Sequence, residues 1–455
     1  MARNCTDAAL SRKQRVFVVL EDEPGVLKFP APTDAIRPAG DATLNQTPTY
    51  SDSKEKFDTL DLLDKFPNAT PPGEWTIPQY LRLAGFGAAP QGQALFEATM
   101  GRKGVTALAI LADDISDADM DIEVEDLAGD ITPVGVIQIG SELIRYGRFD
   151  AELNLFSDCI RGYNDTAPAA HATADSVVFK SVSYHFDTCS PTVSIWIETD
   201  HLIQYLAGAV VDSLRIPIQN EDGVLVTFSG KGMRMGWAGR TEIRTTATAG
   251  DTKIFVQDAI RYSVGARIQN YTQADAGTNG YEIEAINTTS GEITLTTPIA
   301  DNWDAGDEIT GYLPTAAVSG IAAESRDTAV ILGGVPGKVK NTELNIGVPK
   351  EFKQDEVGTK FPEEYFGSVR NITMNLDCVL RKAAVDKFHE GYNGKETTIA
   401  LTMGRIPGQK ATFFMPRAKV SVPTVQFDGP AVGLQIPATA LGVDTGENSL
   451  TLIFE

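Results

Sequence analysis

The side chains that most often perform catalysis are few in this 455-residue chain. A serine hydrolase would need a G-x-S-x-G elbow, a zinc protease an H-E-x-x-H helix, and a cysteine protease a paired Cys and His. None of these signatures occurs, and His185 and Cys189 are close only along the chain. His171 is expected to be a packing or hydrogen-bonding residue. We therefore predict no catalytic residue among the four histidines, His171, His185, His201 and His389.

Residues 113–130 are rich in carboxylates that could bind a metal ion. Asp117, Asp119 and Asp121 match the first three ligands of a calcium loop. Such a loop also needs Gly at position six and Glu at position twelve, where this chain has Ile122 and Ala128. We predict no metal site here. A solvated acidic strand edge, which would also discourage sheet-to-sheet aggregation, is the expected structure.

Two glycine-rich stretches contain lysine and could in principle cradle a phosphate. Residues 333–338 read GGVPGK and residues 230–232 read GKG. Neither has the G-x-x-x-x-G-K-[ST] spacing of a phosphate-binding loop, so both are predicted to be turns. No cofactor is expected.

The alternation of apolar and polar residues indicates that most of the chain's regular elements are strands. Clusters of Gly, Pro, Asn and Asp separate the alternating runs. This period of two predicts a mainly β fold of short strands, in a sandwich or barrel. The apolar positions of the runs are Val193, Ile195 and Ile197; Leu214, Ile216 and Ile218; Val224, Val226 and Phe228; Ile372, Met374 and Leu376; and Ile399, Leu401 and Met403.

Helical patterns are rare, with about one in each half of the chain. They are predicted at residues 76–85 and 378–390, each followed or ended by a glycine. Residues 21–75 and 350–366 show little regular pattern and are rich in polar residues and proline. Irregular segments of this length are often functional arms. We expect both arms to be mobile in the free chain and ordered in an assembly.

An internal repeat predicts how the chain is divided. The order of strand-like segments after residue 122 recurs with similar spacing after residue 254. We predict two small inserted β modules, 104–178 and 241–313. They interrupt a framework whose first core is 1–103 with 179–240 and whose second core is 314–455. The two cores have a similar order of elements, which indicates a duplication.

Composition and charge limit the function. The chain has 39 Lys and Arg against 61 Asp and Glu, a net charge of −22. A surface that binds nucleic acid through its phosphates is basic, so specific DNA binding is not expected. The four cysteines are too few for a disulfide scaffold and are expected to be buried free thiols. No secretory or membrane-spanning segment is evident, so neither secretion nor membrane insertion is expected.

One motif is specific enough to support a resemblance. Residues 135–146 read GVIQIGSELIRY, followed by Arg161-Gly162, Thr166 and His171. This resembles a β module found in many phage tail proteins, although Asp165 stands where a Gly usually precedes the Thr. The framework is similar to major tail tube proteins of long-tailed, siphovirus-like phages. The similar stretches are 192–198, 208–214, 223–230, 366–370, 378–390, 397–404, 416–422 and 448–454.

The resemblance implies a structural role with no enzymatic activity. Tail tube subunits fold as β-sandwich-like barrels flanked by a helix, join their inner sheets into rings around a DNA-wide lumen, and stack through extended arms. The implied partners are further copies of the chain, the tape measure, tail tip and tail terminator proteins, and genomic DNA that passes without specific binding. The implied location is the virion tail, after assembly in the host cytoplasm.

The duplicated core predicts a ring of three chains with pseudo-six-fold symmetry. A net negative lumen is expected, with Asn371, Thr373, Asn375 and Asp377 as candidate lining residues. The inserted modules are expected on the outside, as dispensable decorations. Two alternatives remain open: a tail fibre or tip protein that binds or cleaves host-surface glycans, and an adaptor at the head–tail junction.

Overall fold

Strands make up most of the regular structure, so the predicted mainly β fold class is confirmed. The computed structural model describes residues 11–56, 61–273, 279–354, 356–381, 386–427, 431–442 and 447–455. Within these ranges there are two α-helices, α1 (Gln93–Met100) and α2 (Asp386–Tyr392). Neither is long and apolar enough to cross a membrane.

The strands up to residue 240 fall into three groups. The first are β1 (Gln14–Leu20), β2 (Ala35–Ile36), β3 (Thr43–Asn45), β4 (Tyr50–Asp52), β5 (Lys65–Pro67), β6 (Gly73–Tyr80), β7 (Arg82–Leu83) and β8 (Gly101–Lys103). The next are β9 (Leu108–Leu111), β10 (Ile122–Ala128), β11 (Gly135–Ile139), β12 (Glu142–Tyr146), β13 (Arg148–Asp150), β14 (Leu155–Ser157) and β15 (Ser176–Phe179). The third are β16 (Val182–Phe186), β17 (Val193–Thr199), β18 (Leu202–Gln219), β19 (Leu225–Gly232) and β20 (Arg234–Ala238).

The remaining strands form two groups. The first are β21 (Arg240–Thr245), β22 (Lys253–Val256), β23 (Arg267–Asn270), β24 (Tyr281–Asn287), β25 (Glu292–Leu295) and β26 (Glu308–Gly311). The last are β27 (Ile321–Ala322), β28 (Ala329–Leu332), β29 (Val335–Gly337), β30 (Val339–Gly347), β31 (Lys350–Lys353), β32 (Glu364–Gly367), β33 (Asn371–Val379), β34 (Glu396–Met403), β35 (Ala411–Val420), β36 (Thr424–Gln426), β37 (Gly433–Ala440) and β38 (Thr451–Phe454).

Nineteen strands from both halves of the chain join in one central sheet. Within it, an antiparallel run follows the order β3–β6–β19–β18–β30–β33–β37–β36. The two halves meet at β18 and β30, which pair from Ser213↔Gly347 to Gln219↔Asn341. The apolar side chains beneath the sheet form one cluster that extends from Val16 to Phe454. The two framework halves therefore share one sheet and one apolar core.

The segments between the framework strands form two separate β structures. Strands β9–β15 make a seven-stranded sheet of order β12-β11-β15-β9-β10-β14-β13, and β21–β26 make a closed barrel of order β21-β22-β25-β24-β23-β26. If β9, β10, β11, β12, β14 and β15 are matched with β21, β22, β23, β24, β25 and β26, five of the barrel's six pairings recur in the sheet. Only the counterpart of β24–β25 is open, because β14 pairs with the additional β13.

The helix predicted at residues 76–85 is wrong, because most of this segment lies in strands β6 and β7. Trp75, Ile77 and Gln79 are all buried on one side, with less buried residues between them, and β6 pairs along its length with β19. Pro78 also disfavours a helix interior, since it lacks the backbone N–H. The helix of this half is α1, whose Ala94, Leu95, Phe96, Ala98, Thr99 and Met100 are buried.

The helix predicted at residues 378–390 is partly correct. Strand β33 continues to Val379, residues 382–385 lie outside the described ranges, and α2 runs from Asp386 to Tyr392. The two segments predicted to be irregular each contain a β-hairpin. The arms' hairpins are β4–β5 and β31–β32.

Candidate functional site: the polar face of the central sheet

The central run of strands has one buried face and one polar face. On β19, β30, β33 and β37, and on residues 213–219 of β18, alternate residues enter the apolar cluster and the residues between them are at least partly exposed. This follows from the two-residue repeat of strands. We call the second set the polar face. Its members on these strands are Leu225, Thr227, Ser229 and Lys231; Ser213, Arg215, Pro217 and Gln219; Asn341, Glu343, Asn345 and Gly347; Asn371, Thr373, Asn375, Asp377 and Val379; and Gly433, Gln435, Pro437 and Thr439.

The strand register aligns these residues in rows across both halves of the chain. Within the run β3 to β36 the longest row is Pro78–Thr227–Arg215–Asn345–Thr373–Thr439, one residue from each of six strands. Outside that run, the row continues from Thr439 to Lys419 on β35 and Glu396 on β34. Strands lie about 4.8 Å apart, so six strands span roughly 24 Å. Ser213 and Ser229 share a hydrogen bond of 2.7 Å within the row beside it. The polar face is therefore a single surface to which both halves contribute.

Charges on the polar face are few and largely paired. Arg215 donates two hydrogen bonds to Glu343, of 2.8 and 2.9 Å, across the joint between β18 and β30. These bonds lower the pKa of Glu343, so the pair stays ionised and neutral as a unit. Lys231 is also charged and lies 3.9 Å from Asp212. Hydroxyls, amides and prolines make up most of the rest. Such a surface can form hydrogen bonds with water but has little net charge to attract or hold a phosphate.

All four residues named as lining candidates lie on this face. Asn371, Thr373, Asn375 and Asp377 alternate with the buried Ile372, Met374 and Leu376 along β33. Only Asp377 among them is charged. The contributions of β18, β19 and β30, including Arg215 and Glu343, were not identified from the sequence. The alternation of Leu214, Ile216 and Ile218 was the available signal, because it places Arg215 and Pro217 opposite the core.

The module motif residues converge on one buried carboxylate. The side chain of Glu142, on β12, is fully buried and accepts two hydrogen bonds of 2.9 Å from Arg161. It also accepts the backbone N–H groups of Gly162 at 2.9 Å and Ala169 at 3.2 Å, and lies 2.8 Å from Nε2 of His171. Burial alone would raise the pKa of Glu142, but these hydrogen bonds outweigh it and lower the pKa to about 2.

This arrangement explains the motif without chemistry on a substrate. Both oxygens of Glu142 are occupied by donors, so the carboxylate cannot act as a general base. Thr166 and Tyr146, also in the motif, are used internally. The Thr166 hydroxyl accepts the Leu143 N–H at 3.0 Å, and the Tyr146 hydroxyl lies 2.8 Å from that of Thr132. The network ties the loop that follows β14 to β12.

The remaining candidates are separate from one another. His185 lies 2.8 Å from the Ser183 hydroxyl, and burial lowers the pKa of His185. Cys159 is buried as expected, but the expectation is wrong for Cys189, which lies in an exposed bend between β16 and β17. Cys378 is half-buried, and Cys5 lies outside the described residues.

The acidic and glycine-rich segments have local roles. Asp114 accepts the backbone N–H and the hydroxyl of Thr173 at 2.7 and 2.8 Å. Asp119 accepts the Ser116 N–H at 2.7 Å. Of the turn predicted at 333–338, only Gly333 and Gly334, with φ of 56° and 79°, form a turn, and residues 335–337 are strand β29. The turn predicted at 230–232 is wrong, because these residues end strand β19 and pair with β6.

Comparison with known proteins adds no relative. No protein-family model matches the chain, and no curated protein matches it.

Proposed function

We propose that this chain is the structural subunit of a phage tail tube, which closes into stacked rings around a channel that conducts DNA. The observation that carries the proposal is the polar face. A channel for DNA needs a wide, hydrated surface that does not retain phosphates, because each neutralised phosphate adds to the affinity. The polar face extends over six strands and combines many neutral groups with the paired charges of Arg215 and Glu343.

The ends of the central run support ring closure. The run ends in β3 on one side and β36 on the other, two three-residue strands. Strands at a sheet edge present backbone groups that can pair with another chain. Head-to-tail pairing of this kind closes into a ring when the rotation between subunits allows it. In the proposed ring, β3 of one subunit faces β36 of the next.

The arm hairpins support stacking. Tyr50 and Phe66 of the first hairpin, and Phe366 of the second, are more than half exposed. The two arms also contact each other, since the Thr70 N–H donates to the Lys360 carbonyl at 2.8 Å. In the proposed tube, these apolar side chains are buried against the neighbouring ring.

Electron microscopy of the purified chain tests the proposal. We expect hollow tubes or rings from the native sequence. The double variant Thr43→Lys, Thr424→Lys places charge on both edge strands and should leave a folded monomer that does not assemble. Thr289→Lys, in an exposed turn of the barrel, is the matched control and should assemble normally. Solid fibres from the native chain, or tubes from the edge variant at the native rate, would overturn the proposal.

A further inference from the structure

A basic cleft opens at the end of the central sheet, where β18 ends and β30 begins. Its volume is about 410 Å³. Its lining includes Arg326, Thr328, Lys338, Lys340 and Thr342, which we call the basic cleft residues. They come from the turn before β28, from the residue that precedes β30 and from β30 itself.

The lysines and the threonine follow one another at the start of β30. Leu344 and Thr342 are buried on the core side of the strand. A β-bulge lies between Val339 and Asn341, so the two-residue repeat does not continue from Thr342 to Lys340. Lys340 at the bulge and Lys338, one residue before the strand, are both exposed, and they line the cleft together with Thr342.

The charge of the cleft is opposite to that of the chain. Three cations line it and, among the described residues, no carboxylate does, although the chain carries a net charge of −22. Arg326 is paired with Glu324 at 2.5 Å, and Glu324 lies outside the lining. In the described part of the chain, Lys338 and Lys340 have no ion-pair partner.

Two hydroxyls in the cleft are free to donate. The Oγ1 atoms of Thr328 and Thr342 are buried and have no hydrogen-bond partner in the described part of the chain. Thr342 is only 6% exposed. A buried hydroxyl without a hydrogen-bond partner destabilises the folded chain. Its presence beside two lysines therefore indicates that a bound ligand supplies a hydrogen-bond acceptor.

We propose that the basic cleft binds a phosphate group. A phosphate oxyanion accepts hydrogen bonds from the Thr328 and Thr342 hydroxyls while Lys338, Lys340 and Arg326 compensate its charge. The phosphate comes either from a free phosphate or from a nucleic-acid backbone. The site lies within a single chain, so its failure would leave the tube proposal untouched.

Calorimetric titration of the full-length chain at low salt tests this inference, with inorganic phosphate and with a short single-stranded oligonucleotide as probes. Lys338→Gln combined with Lys340→Gln should weaken binding by about tenfold or more, as expected for losing charge-assisted hydrogen bonds. Thr342→Val, which keeps the side-chain shape, should weaken it severalfold without lowering thermal stability. Lys54→Gln with Lys56→Gln is the matched control, because these exposed lysines have the same spacing.

The two probes distinguish the source of the phosphate. Binding of the oligonucleotide at least tenfold tighter than inorganic phosphate, with both lost in the cleft variants, assigns the site to a nucleic-acid backbone. Comparable binding of both, lost in the same variants, assigns it to free phosphate. Binding of neither probe, or binding that the control pair weakens as much as the cleft pair does, would overturn the inference.

Discussion

Glu142 is the residue whose environment departs most from that of a surface carboxylate. Its side chain is fully buried, yet four groups donate to it or lie within hydrogen-bond distance: Arg161, His171 and the N–H groups of Gly162 and Ala169. A buried charge is stable only with such compensation, and removing one partner leaves the others unpaired. Charge at this position therefore holds together segments that are up to 29 residues apart.

Replacing Glu142 by Gln should destabilise the sheet formed by β9–β15. The amide keeps the shape but leaves the buried Arg161 guanidinium without a counter-charge, at a cost of about 3 kcal/mol. Hydrogen exchange of residues 108–179 measures this local free energy of unfolding. Glu125→Gln, at an exposed position on β10, is the control and should change it by less than about 0.5 kcal/mol. Equal protection in the two variants would contradict the assigned role.

The same carboxylate predicts a pH dependence. Because the folded-state pKa of Glu142 is lowered to about 2 from 4.5, its contribution is present above pH 4.5 and is lost as the pH falls towards 2. We expect the difference in unfolding free energy between the native chain and Glu142→Gln to be constant from pH 7 to about pH 5. It should then shrink steadily at lower pH. A difference that stays constant down to pH 2 would show that Glu142 is not ionised in the fold.

At the scale of elements, the alternation of apolar and polar residues predicted the strands, whereas the helical patterns predicted only part of one helix. The five alternating runs lie on β17, β18, β19, β33 and β34, with Val224 one residue before β19. On the run of β18 and on β19 and β33, alternation succeeds because the apolar core covers only one face of the strand. β17 is covered on both faces, because Trp196 packs into the cluster of the barrel, and there the alternation only separates two apolar clusters. It failed for β6, where a chance spacing of Ile77, Tyr80 and Leu81 imitated a helical stripe. It missed α1, because six of its eight residues are buried and no polar face marks the helix.

The polar face and the Glu142 network were only partly predictable for a related reason. Each depends on which strands pair with each other and in which register, and a single sequence does not specify that pairing. Arg215 and Glu343 are 128 residues apart, and their contact exists only because β18 pairs with β30. The motif around Glu142 could be recognised, but the roles of Arg161 and His171 could not be derived from their spacing.

The second arm should divide into a protected base and an exposed tip. Its base is anchored by Lys350, whose Nζ lies 3.0 Å from the Ser190 hydroxyl, and by Tyr365, which donates to the Ser190 carbonyl. Val357, in the connecting segment, is fully exposed. In the free chain we expect slow amide exchange at 350–353 and 364–367 and fast exchange near residue 357. In the assembled tube the tip should become protected, and a tip that exchanges equally fast in both states would argue against a stacking role.

At the scale of the whole molecule, the shared sheet predicts the number of chains in a ring. Two framework halves contribute to one polar face across β18 and β30, so each chain supplies twice the width of a single core. We expect three chains per ring with pseudo-six-fold symmetry. A three-dimensional reconstruction of the tube measures this directly, and six full chains per ring would contradict it.

The two inserted segments are attached to the framework in different ways. The apolar cluster of β9–β15 contains only residues between 107 and 179. Its nearby framework contacts include the hydrogen bond from Lys410 to the Tyr163 hydroxyl, 2.8 Å, and the ion pair of Arg145 with Glu455, 3.5 Å. The cluster of the barrel instead includes the framework residues Phe17, Trp196 and Tyr205.

Removing the segments should therefore have unequal effects, although the sequence predicts that both are dispensable. Replacing 104–178 by a short Gly/Ser linker should preserve folding, because Lys103 pairs with Tyr184 across β8 and β16 and the ends therefore lie close together. Replacing 241–313 should uncover large apolar side chains, at roughly 2 kcal/mol each, and reduce thermal stability and soluble yield.

Assembly of the two deletion variants then tests where the segments lie. The 104–178 variant should form tubes with the native channel diameter and a thinner outer wall, measured by electron microscopy. The 241–313 variant should recover solubility, and with it assembly, when Trp196 and Tyr205 are also changed to Thr, since the uncovered surface is then less apolar. A 104–178 variant that is folded and soluble but cannot polymerise would place that segment in the assembly interface instead of on the outside of the tube.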